Sequence, residues 1–217
     1  MRRPVLPYTA LSFLLLPPAR LGAQAPADSG IFVVRHARDT VAIERFTRVA
    51  SKLEGTLTLR NAKGTSERYW AVIAPDATLP LIEVTVREGV DSGPAKAKIV
   101  QRARVIFKAD SVAVDEVGSA GLMTRVFGTE EGAVPYLNLS FALLEQAVRR
   151  ARASGSGSQV AFFNLGGGQT LKASVVPLGD DSLLLDIGDI GFHLRVDQQG
   201  RVLGGRIPIQ NLVVERR

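Results

Sequence analysis

Cysteine is absent from all 217 residues, so no disulfide can brace the fold, no thiolate can act as nucleophile or metal ligand, and no lipobox cysteine can carry an acyl anchor. Imidazoles are scarce too. His36 and His193 are the only two, and a Ser-His-Asp site or a histidine metal site would have to use one of them. Neither is accompanied by H-E-x-x-H or G-x-S-x-G. His193 sits between Phe192 and Leu194, and His36 ends an apolar run, which are ordinary strand positions. Long apolar runs are also missing. The stretch from Val5 to Leu16 is interrupted by Pro7 and followed by Pro17-Pro18, and it falls short of the roughly 20 residues that cross hydrocarbon.

What that stretch does resemble is the middle of a secretory leader. Met1-Arg2-Arg3, the apolar run and Ala23-Gln24-Ala25 follow the charged, apolar and small-residue order of such a segment. Cleavage is expected after Ala25. Pro26 disfavours that position, so a cut one or two residues earlier stays open. The leader takes Arg2, Arg3 and Arg20 with it and no acid, so the formal charge falls from +6 to +3. A surplus that small, spread along the chain, does not make the basic footprint of a nucleic-acid binder. The expected protein is periplasmic or secreted, does not span a membrane and takes no nucleic acid.

From Gly30 onward apolar residues recur at strand spacing, and turn residues arrive every eight to twelve positions. Strands are expected at 31–36, 40–49, 53–60, 65–74, 81–88, 96–108, 111–117 and 122–127. After one interruption they resume at 159–165, 170–176, 182–187, 192–196, 201–207 and 212–216. The interruption is 138–153, where Leu137, Phe141, Leu144 and Val148 form one apolar stripe at helical spacing. Asn138 can cap its first turn, Glu145 can pair with Arg149, and Arg149, Arg150 and Arg152 suit the negative end of its dipole. Ser154 to Ser158 then reads as a flexible connector.

One internal echo stands out. Asp110-Ser111-Val112-Ala113-Val114-Asp115, followed by Gly118, Gly121, Leu122, Arg125 and Val126, matches Asp181-Ser182-Leu183-Leu184-Leu185-Asp186, followed by Gly188, Gly191, Phe192, Arg195 and Val196, with a one-residue gap. Both copies read as equivalent hairpins. A sheet of this many strands must protect its edges, and rolling around a packed helix does so. The expected fold is mainly β: an antiparallel open barrel or β-roll with one amphipathic α-helix packed on the concave face. Residues 1–25 form the leader and 26–217 one β-rich domain.

Gly30-Ile31-Phe32-Val33-Val34, continuing through Thr40-Val41-Ala42-Ile43-Glu44-Arg45-Phe46, resembles the opening hairpin of uncharacterised exported β-proteins of Gram-negative bacteria. The mature chain as a whole is similar in shape to periplasmic lipoprotein carriers, whose open barrel cups acyl chains against a helix. The resemblance implies an apolar or lipid-like ligand. Carriers place helices early, whereas the helix here comes late, so no residue role is carried over.

Other candidate motifs have ordinary readings. Asp28-Ser29-Gly30 and Asp91-Ser92-Gly93 spell the D-[ST]-G of aspartic proteases, but the first lies almost at the mature terminus and the second in a turn. Gly166-Gly167-Gly168 lacks the Lys-Ser/Thr and helix of a phosphate loop. Asp180, Asp181, Asp186 and Asp189 are separated by an alternating strand that would point them to opposite faces, against a calcium site. Arg149, Arg150 and Arg152 could meet lipid phosphates. The leading expectation is a non-enzymatic envelope protein binding an apolar small molecule or lipid against Phe141, Leu144 and Val148, with no cofactor or metal. The alternatives are a hydrolase using His36 or His193 with a nearby acid, and a structural or adaptor module pairing through a strand edge.

Overall fold

The computed structural model describes residues 27–93, 96–153 and 159–217. The leader expected over 1–25 and the connector over 154–158 lie outside the described residues. Fifteen strands and one helix follow in order: β1 Asp28–His36, β2 Asp39–Val49, β3 Lys52–Leu59, β4 Thr65–Val72, β5 Leu81–Glu88, β6 Lys98–Phe107, β7 Ser111–Gly118, β8 Gly121–Gly128, β9 Val134–Tyr136, α1 Phe141–Ala153, β10 Gln159–Asn164, β11 Thr170–Pro177, β12 Ser182–Ile187, β13 Ile190–Val196, β14 Val202–Ile207 and β15 Leu212–Arg216.

All fifteen strands belong to one sheet, ordered β8-β7-β6-β5-β4-β3-β2-β1-β15-β14-β13-β12-β11-β10-β9. The first and last strands pair in its middle, Val33 opposite Glu215, and two antiparallel meanders run outward from them. The edges, β8 and β9, are consecutive in the chain. The two wings roll toward each other: Phe107 and Phe127 lie 5.9 Å and 5.7 Å from Phe163 of the opposite wing, and the Thr170 hydroxyl donates to the Gly128 carbonyl at 3.2 Å. No ladder joins β8 to β9, so the roll stays open.

Inward positions alternate as a half-buried strand requires. Phe32 and Val34, Leu53 and Leu57, Ile82 and Val84, Leu183 and Leu185, and Phe192 and Leu194 all join one core with the apolar face of α1. The helix therefore lies on the concave face. The echoed segments are indeed two hairpins, β7–β8 and β12–β13, each with its apolar pair (Val112 and Val114, Leu183 and Leu185) facing inward.

Three local differences from the sequence reading have physical causes. The helix starts at Phe141, because Leu139 at φ 65° cannot continue a right-handed helix back to Asn138. Ser140 caps it instead: its hydroxyl oxygen accepts from the Leu143 N–H at 3.4 Å, and its carbonyl takes the first helical bond from Leu144. Strand β9 is too short to show alternation, and it runs parallel to β10 with Pro135 on the sheet edge, where a missing N–H costs no ladder bond.

Candidate functional site

Strand β2 turns Ala42, Glu44, Phe46 and Arg48 to the concave side, so an alternating strand delivers one acid and one base into an apolar interior. Such groups persist only with partners. Glu44 is fully buried at the start of α1. One of its oxygens accepts from the Phe141 and Ala142 N–H groups at 2.7 and 3.0 Å. The other accepts from the Ser140 and Tyr69 hydroxyls at 2.5 and 2.6 Å. With the Ser140 N–H bonded to the Leu137 carbonyl at 3.0 Å, all four N–H groups that a helix start leaves without partners are satisfied. Burial pushes the Glu44 pKa above the ordinary glutamate value, and the hydroxyl and amide donors pull against that rise. Burial and the adjacent carboxylate also hold the Tyr69 phenol well above its usual range, so it stays a donor. Tyr69 reaches Glu44 by lying over Gly55 of β3, where an added Cβ would run into the phenol ring.

One turn along, Glu145 is fully buried and caught between strands and helix. One oxygen bonds Arg48 and takes Arg149 at 3.1 Å. The other takes the Val202 N–H at 2.8 Å and Arg216 at 2.9 Å. Asp28 completes the cluster, contacting Arg216 at 2.5 Å and both Arg48 and Arg149 at 3.2 Å. Arg216 lies over Phe46, 5.0 Å from its ring centre, and Gly30 leaves the space, since a Cβ there would stand 2.9 Å from the Arg216 Nε. Three guanidinium groups against two carboxylates leave one positive charge over.

Asp28, Arg48 and Arg149 of this cluster line a cleft of about 550 Å³ beside the C-terminal end of the helix. Arg48, Arg149 and Arg152 face an apolar wall that includes Val49, Ile73 and Pro75. Among the described residues Arg152 bonds the Asp197 and Gln198 carbonyls, at 3.4 and 3.2 Å. Two buried polar atoms on cleft residues have no partner among the described residues: the Arg48 Nε donor and the Gln146 Oε1 acceptor. Buried groups of this kind are uncommon and call for a polar partner. The arrangement can bind an anion with an apolar body.

Other candidates lie elsewhere. Phe141, Leu144 and Val148 are 0%, 1% and 0% exposed, packed in the core between helix and sheet. His36 is exposed at the end of β1 and His193 lies on the outward side of β13. Neither lines this cleft. Asp28, which the sequence places almost at the mature terminus, is a strand residue in the ion cluster. Asp91 sits in a short 3-10 turn over 90–92. Gly166 to Gly168 form the wide turn between β10 and β11. Arg150 turns away from the cleft to the Asp76 carbonyl at 3.1 Å. Among the described residues no group of three or more histidines and acids could hold a metal ion, and no helix is long and apolar enough to cross a membrane. Sequence reasoning missed Glu44, Tyr69, Ser140 and Arg48. The available signal was Glu44 and Arg48 sharing the alternation of Ala42 and Phe46.

No family model and no curated protein matches the chain. Its fold is similar to that of a DUF1089 family protein from Pseudomonas aeruginosa. The match has a TM-score of 0.54 at 12% identity and covers 89% of this chain and 97% of that one. At that identity it establishes the fold alone. A beta-barrel-like protein of domain of unknown function DUF1849 from Brucella abortus aligns with a TM-score of 0.49 at 8% identity, over 88% of this chain and 94% of its own.

Proposed function

We propose that this is a non-catalytic binding protein of the bacterial envelope, exported by its N-terminal leader, that holds a small amphipathic anion in the cleft at the mouth of the roll. The observation that carries the reading is the meeting of Arg48, Arg149 and Arg152, three cations against the single carboxylate of Asp28, with an apolar wall, beside two buried polar atoms that lack partners among the described residues. The cleft volume lies within the range of roughly 300–1,000 Å³ usual for small-molecule sites. The ligand class is a carboxylate or phosphate head on a short acyl-like body, a lipid-like molecule held by its charged end. An acyl chain could reach Phe141, Leu144 and Val148 only if α1 lifted from the sheet, so the ligand is placed at the mouth.

Decanoate, decanol and decyltrimethylammonium separate head from body in a calorimetric titration of the mature chain. Decanoate should bind saturably, and decanol about tenfold or more weaker, because a hydrogen bond to a charged group is worth about 1.5–3 kcal/mol. The cation should not bind. Equal affinity for all three heads, or no saturable binding by any, would refute the assignment. Export is checked separately by the intact mass of the protein from the periplasmic fraction of a Gram-negative host, expected to lack residues 1–25.

A further inference from the structure

We infer that β8 is a self-association edge, through which two copies of this chain pair antiparallel about Thr124. The strand ends the sheet, and among the described residues no strand pairs with its outer side. The opposite edge, β9, has only three residues, with Pro135 in the middle. By contrast β8 offers eight residues with no proline, no lysine and no bulge in its ladder to β7, and those are the devices that normally blunt an edge. Its one charge, Arg125, is bonded to Glu116 at 2.7 Å.

The side chains favour a second copy as the occupant. Leu122, Thr124 and Val126 pair with Val117, Asp115 and Ala113 of β7, on the outward side opposite the buried Val112 and Val114. Leu122 and Val126 are 71% and 70% exposed, among the most exposed large apolar residues described. A two-fold axis through Thr124, perpendicular to the sheet, keeps each face on its own side and sets Leu122 opposite Val126 of the other copy, twice. On the inward side it sets Met123 opposite Arg125, so no like charges face each other. Cross-strand apolar pairs of this kind stabilise an antiparallel ladder. Gly128 is already engaged by Thr170, which confines the shared ladder to residues 122–126 and keeps the association modest.

Sedimentation velocity of the mature protein over a wide concentration series should show a reversible monomer–dimer equilibrium. Val126→Lys should weaken it about tenfold or more without shifting the urea midpoint read from Trp70. Val213→Lys, the same change on an exposed residue of central β15, should leave the equilibrium intact. Amide exchange on the unsubstituted protein gives an independent readout, with protection of 122–126 rising with concentration. A monomer at every concentration, equal effects of the two lysines, or concentration-independent exchange over 122–126 would overturn the inference. None of these outcomes bears on the cleft, which lies at a different part of the roll.

Discussion

Replacing Glu44 by alanine leaves the Phe141 and Ala142 N–H groups without acceptors in a dry interior, at about 1–3 kcal/mol each. It also removes the negative charge at the helix start, about 0.5–2 kcal/mol in a buried setting. The expected loss is therefore about 2.5–8 kcal/mol, centred on about 5 kcal/mol, a large part of the stability of a typical domain. Glu44→Gln behaves differently. Its carbonyl can serve the two amides while its NH₂ donates to the Ser140 and Tyr69 oxygens, which accept as readily as they donate. The neutral side chain also escapes the desolvation cost that raises the Glu44 pKa, so the glutamine variant should lose only about 1 kcal/mol.

Trp70, the single tryptophan, reports unfolding from the strand that carries Tyr69, with its indole N–H bonded to Glu83 at 3.0 Å. At a urea slope of about 2 kcal/mol per molar, a 5 kcal/mol loss moves the midpoint by about 2.5 M. Glu44 also sets a pH dependence. The folded state binds its proton more tightly than the unfolded chain, so stability falls as pH rises from the ordinary value of 4.5 through the raised one. The glutamine variant should lose that contribution. An alanine variant within about 1 kcal/mol of the parent, or a glutamine variant as damaged as alanine, would refute the view that this carboxylate anchors the helix.

Gly55→Ala drives a Cβ into the Tyr69 ring, 2.5 Å from Cζ, and should cost about 2–3 kcal/mol by urea unfolding, with a smaller penalty when Tyr69 is already alanine. Asp28→Asn removes the carboxylate charge that meets three arginines and should cost about 3 kcal/mol. Glu67 faces inward between Leu57 and Val86, and burial pushes its pKa up to about 6. Stability should therefore decline as pH rises from the ordinary value toward 6, and Glu67→Gln should remove that decline in melts taken across the window.

The strands were legible because the inward positions are mostly large and apolar, Phe32 and Val34 or Leu183 and Leu185, so that period two survives in the sequence. The helix was legible from the stripe of Phe141, Leu144 and Val148. The polar site was not, because polar residues placed inward look the same in sequence as outward ones. Glu44 and Arg48 occupy the same alternation as Phe46, and only the register of β2 against the helix shows that they face it. Glu145 was legible as the i,i+4 partner of Arg149, but its contacts with Arg48, Val202 and Arg216 join residues far apart in the chain. The helix start was displaced for a local reason, the left-handed Leu139, which carries no compositional sign.

The helix is tied at two levels, by Glu44 at its first turn and by Glu145 one turn later, and only beyond them does it reach the cleft. Its register is thereby fixed before Gln146, Arg149 and Arg152 are presented to the mouth. Arg48 belongs to both parts: it bonds Glu145 and the Ala142 carbonyl while facing the cleft. Arg152 belongs to one, since among the described residues it bonds two loop carbonyls. Stability and binding should therefore separate along these two arginines. Arg152→Ala should weaken decanoate about tenfold with an unchanged urea midpoint, while Arg48→Ala should lower both affinity and midpoint. An Arg48→Ala protein that loses only affinity would show that the buried ion cluster does not hold the helix, and a destabilised Arg152→Ala protein would show that the cleft wall is part of the core.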